Sequence, residues 1–284
     1  MKKFMKGVRF TPKGYSDEVE NKIQQYKREG FRLPQRHLLR TAEQLEGIRA
    51  SAQINTALLN YVSENIHEGM STAEIDHLVY NFTTDHEAIP APFLYEGFPK
   101  SCCVSINDVV CHGIPSTQEF LHSGDIVNVD VSTIYKGYFS DASRMFMIGD
   151  VSPEMQRLVQ VTKECRDLGV QLAKPWVRLG DIGAAIQEHA EKNGYSVVRD
   201  LCGHGCGIKF HEEPDVEHFG RKGTGMLLVP GMTFTIEPMI NMGSYEVFID
   251  EADGWTVCTD DGLPSAQWES QILITESGNE ILTE

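Results

Sequence analysis

Residues 125–147 have the sequence DIVNVDVSTIYKGYFSDASRMFM, in which two β-prone segments flank a short turn. Apolar and polar side chains alternate over residues 125–133, which is the pattern of a half-buried strand. Residues 135–137 contain a glycine and predict the turn, and residues 138–147 return as a partner strand. The stretch therefore predicts an antiparallel β-hairpin.

Each strand of this hairpin carries an aspartate among apolar and β-branched neighbours, Asp130 on the first and Asp141 on the second. Acidic residues are depleted in strands, and a buried carboxylate needs a partner, for which a metal ion is well suited. A turn at residues 135–137 places the two aspartates roughly opposite each other. We therefore expect them to face the same side and to hold one cation between them.

The second half of the chain repeats this combination. Glu237 follows the apolar run FTI, and Glu269 precedes the run SQILI, so we expect strands over residues 232–240 and 267–275 with an acid inside each. Any one such acid could face solvent or form a local ion pair. Four acids on successive apolar strands favour a metal site.

Each half also contains two helical patterns, followed by strands and by one histidine next to a glycine. This histidine is His112 in the first half and His204 in the second. In the first half, capping boxes at residues 41–44 and 71–74 start the helices, and in the second half Pro153 begins one. The repeat predicts an α+β fold with pseudo-two-fold symmetry. Two such halves facing each other would place the four carboxylates around a central cleft.

The sequence GHGCG at residues 203–207 surrounds His204 with glycines, which let the backbone approach a site closely. His211 supplies a second imidazole seven residues later. Four carboxylates and one imidazole suit Mn²⁺, Fe²⁺ or Co²⁺ and accept Zn²⁺. Two such ions, about 3.5–4 Å apart, can acidify a water molecule and polarise a scissile carbonyl.

Charge divides the chain into a basic N-terminal extension, residues 1–40, and an acidic catalytic domain, residues 41–284. The extension contains 11 lysines and arginines against four acidic residues, whereas the domain contains 14 against 37. An acidic body argues against a nucleic-acid enzyme with a basic cleft. The extension could contact an acidic partner such as the ribosome, or it could pair with its own acidic body.

Three features predict a cytoplasmic protein without a membrane segment. No apolar run reaches the roughly 20 residues of a membrane helix, and no apolar core follows the basic N-terminus. The seven cysteines are odd in number and irregular in spacing, which argues against a disulfide framework.

Two motifs carry a resemblance to a known family. Residues 98–115, FPKSCCVSINDVVCHGIP, and residues 203–214, GHGCGIKFHEEP, resemble the type I methionine aminopeptidases, which are pita-bread metallopeptidases. The similarity covers roughly residues 41–284. It implies the pita-bread fold, in which a curved antiparallel sheet with flanking helices has pseudo-two-fold symmetry.

The resemblance implies a role for each metal-site residue. Asp130 would chelate one ion, and Asp141 and Glu269 would bridge both. His204 and Glu237 would complete the shell of the other ion. Glu237 would also act as acid and base for a nucleophilic water or hydroxide between the metals. The two divalent ions could be Co, Mn, Fe, Zn or Ni.

The same resemblance implies the substrate contacts. His112 and His211 would contact the substrate near the scissile bond and, with Glu237, form the catalytic set. Aromatic walls and a sulfur-compatible surface suit a thioether side chain. The positions that match the methionine pocket are Tyr95, Phe98, Cys103, Phe210 and Trp255.

The implied activity is removal of the initiator methionine from nascent proteins and peptides with a small second residue. We expect a monomer whose partner is the nascent polypeptide. A transient contact with the ribosome through residues 1–40 stays an open alternative. One departure concerns the pair after Glu269, where the family usually has His-Thr and this chain has Ser270-Gln271. That pair could alter the support of the metal ligands without changing the ligands themselves.

Three alternatives fit less well. X-Pro peptidases of the same fold carry a large N-terminal domain, for which the roughly forty residues before the core are too few. Type II methionine aminopeptidases insert a helical subdomain between the second-half histidines and the glutamate, but only 26 positions separate His211 from Glu237. Non-enzymatic relatives typically lose metal ligands, whereas all five ligand positions here have suitable residues.

Overall fold

The computed structural model describes residues 15–284. Residues 1–14, which belong to the predicted basic extension, lie outside the described residues. None of the helices within residues 15–284 combines the length and the apolar character needed to cross a membrane.

The first helix, α1 (Asp17–Arg28), lies in the basic N-terminal segment and carries acidic residues in its first turn and basic residues in its last. The Ser16 hydroxyl caps it by accepting a hydrogen bond from the Val19 N–H. Val19 and Ile23 are buried in the same hydrophobic cluster as the helices of the second half. The segment of residues 15–40 is therefore packed against the body of the protein.

The first half consists of two helices and five strands. The helices begin with the predicted capping boxes at Thr41 and Ser71, so both helix starts are confirmed. The elements are α2 (Ala42–Asn65), α3 (Thr72–Asp85), β1 (Ile89–Pro90), β2 (Cys103–Ile106), β3 (Val109–Cys111), β4 (Ile126–Tyr135) and β5 (Tyr138–Met147).

Strands β4 and β5 form the predicted hairpin, and β4 pairs antiparallel with β1 and β2 as well. Their register sets Asp130 opposite Ser143 and Asp141 opposite Ser132. The two aspartates are thus offset by two residues rather than directly opposed. Because side chains alternate between faces with a period of two, both still project from the same face.

The second half consists of two helices and ten strands, and Pro153 opens the first helix as expected. The elements are α4 (Pro153–Leu172), α5 (Leu179–Lys192), β6 (Ser196–Val197), β7 (Gly203–Gly205), β8 (Glu212–Val216), β9 (Thr233–Ile236), β10 (Met239–Asn241), β11 (Val247–Ile249), β12 (Val257–Thr259), β13 (Ser265–Gln267), β14 (Ser270–Ile274) and β15 (Asn279–Ile281).

All the strand pairs are antiparallel, and the remaining strands form three sheets. Their orders are β15-β14-β9-β7-β8, β13-β10-β6 and β11-β12-β3. The third sheet joins the two halves, because it combines β3 with strands of the second half.

The sequence predicts continuous strands over residues 232–240 and 267–275. This prediction is wrong in one respect, because each strand is interrupted at its glutamate. Strand β9 ends before Glu237, and two residues, Trp268 and Glu269, separate β13 from β14. Pro238 has no N–H to donate to a ladder. Ile236 pairs with Ser270, and Met239 pairs with Gln267, so the two breaks face each other. Both glutamates therefore come from the break between the β9–β14 pair and the β10–β13 pair.

Two hydrophobic clusters pack the helices onto the strands, one mainly in each half. One joins α4 and α5 to the sheet of the second half and includes the fully buried Leu158, Ile182 and Phe234. The other joins α2 and α3 to the hairpin and includes Leu58 and Val129. The helices thus cover one side of the strands, and the faces that carry the four acids remain available to the central cleft.

Candidate metal centre and substrate cavity

A cavity of about 430 Å³ lies between the two halves. It brings together the ligands, the catalytic side chains and the pocket residues expected from the sequence. Its lining includes Tyr95, Phe98, Cys103, His112, Asp130, Asp141, His204, Phe210, His211, Glu237, Trp255 and Glu269.

The carboxylates reach this cavity from both halves. The hairpin presents Asp130 and Asp141, and the facing breaks present Glu237 and Glu269. The Nε2 atom of His204 lies 3.6 Å from an Asp141 carboxylate oxygen and 3.6 Å from one of Glu237. One ligand atom each from Asp141, His204 and Glu269 lies within 4.8 Å of the others. This spacing is short enough for one cation to contact all three.

The glycines around His204 are required by close packing of the backbone. A Cβ atom on Gly205 would lie 2.1 Å from the Glu213 carbonyl oxygen, and one on Gly203 would lie 2.7 Å from that of Thr235. A larger residue at either position would push β7 away from its neighbours. The glycines thus allow close packing between strands, and the close approach to a bound group expected from the sequence stays a prediction.

The four carboxylates are short of positive charge. Burial raises the pKa of Asp130 to about 7 and that of Glu237 to about 8. Burial, together with the nearby carboxylates, raises the pKa values of Asp141 and Glu269 well above their usual range. Among the described residues, no lysine or arginine lines the cavity.

Two acceptor atoms in the cluster also have no hydrogen-bond partner. They are Asp130 Oδ1 and Glu269 Oε1, and both are buried. An unpaired buried carboxylate oxygen is strongly disfavoured unless a cation or a donor meets it. The residues therefore fit a divalent metal centre, which supplies the missing positive charge at these atoms.

His204 has the protonation state of a metal ligand. Burial lowers its pKa to about 3, so the imidazole is neutral near pH 7 and its lone pair is available. The Nδ1 atom of His204 lies 3.1 Å from the Gly205 carbonyl oxygen. A hydrogen bond from Nδ1–H to that carbonyl would direct Nε2 towards the carboxylates.

The other two histidines line the cavity near the cluster. Burial lowers the pKa of His211 to about 4 and also lowers the pKa of His112, so both favour the neutral form. The His211 Nδ1 atom lies 3.1 Å from the Tyr95 hydroxyl oxygen. His112 has a backbone φ of 57°, an unfavourable conformation for a non-glycine residue that packing must maintain.

The apolar side of the cavity is built from aromatic pairs. The Tyr95 and Phe210 rings meet edge to face at 4.9 Å, and the Phe98 and Trp255 rings do so at 5.3 Å. Cys103 is buried in the same wall. Edge-to-face packing holds such rings in a defined shape, so the wall suits an unbranched apolar side chain.

Three residues that contact Glu237 were not singled out in the sequence. The Thr235 hydroxyl donates to Glu237 Oε1 at 2.6 Å, and the Gln267 amide donates to Oε2 at 3.1 Å. His218 Nε2 accepts the Glu237 backbone N–H at 3.0 Å. The strand alternation could have indicated Thr235, which lies two residues before Glu237. His218 and Gln267 have no local signal, because only the tertiary fold brings them to this carboxylate.

Gln271, where the chain departs from the usual His-Thr pair of the family, supports the backbone that carries Asp141. The Gln271 side-chain oxygen accepts the Asp141 backbone N–H at 3.3 Å, and its amide donates to the Cys206 carbonyl at 3.1 Å. The Thr283 hydroxyl donates to the Asp141 carbonyl at 2.7 Å. Gln271 thus connects the strand of Asp141 with the segment that follows His204.

Comparisons with known proteins identify the family to which the chain belongs. The model of metallopeptidase family M24 matches residues 46–276. Methionine aminopeptidase A of Synechocystis sp. is 49% identical, over 86% of this chain and 96% of its own. The crystal structure of methionine aminopeptidase from Rickettsia prowazekii has a TM-score of 0.85 at 46% identity, over 87% of this chain and 99% of that chain. The structure from Thermotoga maritima has a TM-score of 0.85 at 37% identity, over 87% and 98%.

A match of this extent places the chain in metallopeptidase family M24. The chain also aligns with these relatives over almost their whole length at high identity. Within the family, it therefore belongs to the methionine aminopeptidases. The resemblance drawn from residues 98–115 and 203–214 is confirmed, as is the α+β pita-bread fold.

Proposed function

We propose that the protein removes the N-terminal methionine from nascent polypeptides and from peptides whose second residue is small. The observation that supports this proposal is the meeting of an acidic cluster and an aromatic, sulfur-compatible wall in one cavity. The first can hold the ions that a peptide hydrolase needs, and the second can select an unbranched thioether side chain.

The five proposed ligands are those expected from the sequence. Asp130, Asp141, His204, Glu237 and Glu269 would hold two divalent cations, with Asp141 and Glu269 shared between them. Bound ions of this kind supply Lewis acidity to a scissile carbonyl and to an attacking water molecule. The mainly oxygen ligand set suits Mn²⁺, Fe²⁺ or Co²⁺ and accepts Zn²⁺ or Ni²⁺.

Glu237 is the proposed acid and base. It is held by donors to both carboxylate oxygens, from Thr235 and Gln267, so its orientation is defined. Burial raises the pKa of Glu237, which makes the ionised carboxylate a stronger base towards the attacking water. The same group can then return the proton to the leaving amine.

His112 and His211 are the proposed substrate contacts. Because both favour the neutral form, each can donate one hydrogen bond and accept another without adding charge to the site. The methionine side chain would lie against the wall formed by Tyr95, Phe98, Cys103, Phe210 and Trp255.

We propose that residues 41–284 are the catalytic domain and that residues 1–40 are an extension, of which the described part, residues 15–40, is docked upon the domain. In its described part, exposed basic side chains such as Lys27 and Arg28 would carry a transient ribosome contact. A monomer acting in the cytoplasm fits this arrangement. Cosedimentation with ribosomes, compared between wild type and a Lys27→Glu/Arg28→Glu variant, tests the contact.

Cleavage of Met-Ala-Ser by chelated protein, with each divalent ion restored in turn, tests the activity. We expect turnover to stop on chelation and to return with Co²⁺ or Mn²⁺. Met-Ala peptides should be cleaved with far higher kcat/KM than Lys-Ala or Val-Ala peptides. Comparable kcat/KM values for the three, or full activity in protein shown by elemental analysis to be metal-free, would contradict the proposal.

A further inference from the structure

Arg40 is a buried cation at the end of the N-terminal segment, outside the 46–276 region that the family model matches. Only 2% of its surface is exposed. Its backbone N–H donates to the Gly231 carbonyl at 2.9 Å, and its carbonyl accepts the Tyr15 hydroxyl at 2.7 Å. The residue directly precedes the capping box of α2. Its backbone is therefore fixed from three sides.

The Arg40 guanidinium binds two side chains, those of Glu212 and Thr233, that contact residues 206–211. It forms an ion pair with the Glu212 carboxylate, and its Nε donates to the Thr233 hydroxyl at 3.0 Å. A guanidinium offers donors in a rigid planar fork, so it can satisfy such a divided set of acceptors. A third donor reaches the His37 carbonyl at 3.3 Å.

Both partners of the guanidinium hold the segment of residues 206–211. The Glu212 carboxylate accepts the Ile208 backbone N–H at 3.2 Å. The Thr233 hydroxyl donates to the Cys206 carbonyl at 2.6 Å. Arg40 thus reaches the segment at Cys206 and at Ile208 through these partners, and Glu212 itself directly follows His211.

This segment has no regular structure of its own, because β7 ends at Gly205 and β8 begins at Glu212. Contacts with neighbouring residues therefore define its path, and they include two backbone hydrogen bonds, from the Cys206 N–H to the Thr233 carbonyl at 3.2 Å and from the Phe139 N–H to the Gly207 carbonyl at 2.9 Å. It carries Phe210, which packs against Tyr95 in the cavity wall, and His211, whose ring also faces Tyr95. A change in its path would displace a pocket residue and a substrate contact together.

We propose that Arg40 is a positioning residue, which fixes residues 206–211 so that Phe210 and His211 keep their places in the cavity. The inference rests on the proposed function for the roles of those two side chains. It gives the N-terminal segment a part in catalysis that does not require contact with any partner. The metal ligands lie outside residues 206–211, so metal affinity should depend little on Arg40.

The Arg40→Gln variant tests this role, with Arg36→Gln as the matched control. Arg36 lies in the same segment and pairs with Glu20, but both side chains are partly exposed and distant in sequence from the cavity residues. Misplacement of a substrate contact by about 1 Å can lower rates about 100-fold. We expect Arg40→Gln to lower kcat/KM for Met-Ala-Ser by about 10-fold to 100-fold, mainly through kcat.

Two further measurements separate positioning from stability. Calorimetric Co²⁺ affinity should change less than about twofold, which is a small free-energy difference. Amide hydrogen exchange of residues 206–211 in metal-free protein should be faster in Arg40→Gln and unchanged in Arg36→Gln. Arg40→Lys keeps the charge but not the fork, so its kcat should lie between those of Arg40→Gln and wild type.

An Arg40→Gln protein that melts at a lower temperature but keeps wild-type kcat and wild-type exchange in residues 206–211 would overturn the proposal. Equal changes of kcat and of hydrogen exchange in Arg36→Gln would also overturn the proposal. If Arg40→Gln does not fold, the Arg40→Lys measurements decide. If wild type does not cleave Met-Ala-Ser, the proposed function fails, whereas the exchange data still decide whether Arg40 orders the segment.

Discussion

Removal of the divalent ions should make the protein lose stability as the pH rises from 5 to 8. The reason is the buried cluster of Asp130, Asp141, Glu237 and Glu269, whose pKa values are raised in the folded state without metal. In this range the unfolded chain has released these protons and the folded chain retains them. The folded state therefore binds more protons, and the free energy of unfolding falls as the pH increases.

The size of the effect follows from the individual shifts. Asp130 moves from 3.8 to about 7 and Glu237 from 4.5 to about 8. One pKa unit corresponds to about 1.4 kcal/mol, so each of these groups alone removes about 3 kcal/mol of stability between pH 5 and pH 8. A loss of this size is a large part of the stability of an ordinary domain.

Metal-loaded protein should behave in the opposite way. The ions bind the ionised carboxylates, and protons compete with them, so metal affinity and the stability it provides rise with pH. The gap in unfolding free energy between loaded and metal-free protein should accordingly widen from pH 5 to pH 8.

Urea denaturation followed by circular dichroism at pH 5, 6, 7 and 8 measures this gap. Asp130→Asn removes one titrating group while keeping its shape, so the metal-free variant should be more stable than wild type at pH 8 and should show a smaller slope. Asp150→Asn, at an exposed position, is the matched control and should keep the wild-type slope. A metal-free wild type whose unfolding free energy is constant or rises between pH 5 and pH 8 would refute the reasoning.

Three further predictions concern single side chains. Glu237→Gln should lower kcat for Met-Ala-Ser by about 10²-fold to 10⁴-fold, because it removes the proposed acid and base. His211→Ala should lower kcat but keep calorimetric metal affinity, whereas His204→Ala should lose it; equal losses would place His211 among the ligands. Gln271→Leu leaves the Asp141 N–H without its side-chain acceptor, so metal affinity should fall about 10-fold and the visible spectrum of bound Co²⁺ should change.

Much of the fold could be predicted from sequence because its signals are local. The hairpin of β4 and β5 follows from side-chain alternation around one turn, and the capping boxes at Thr41 and Ser71 follow from residues three positions apart. The strands expected over residues 232–240 and 267–275 are each divided in two in the structure. Periodicity indicates β structure but does not show where the pairing of two strands is interrupted, which is the point where Glu237 and Glu269 lie.

The sequence by itself determined which residue types form the candidate site, because acids in apolar strands and a glycine-flanked histidine can be recognised one segment at a time. Only the tertiary structure decided how these groups act on one another. His204 lies 3.6 Å from Asp141, and Arg40 pairs with Glu212, although many residues separate each pair along the chain. The raised carboxylate pKa values and the anchoring of residues 206–211 both arise from such contacts. Desolvation and charge interactions depend on distance in space rather than on distance along the chain.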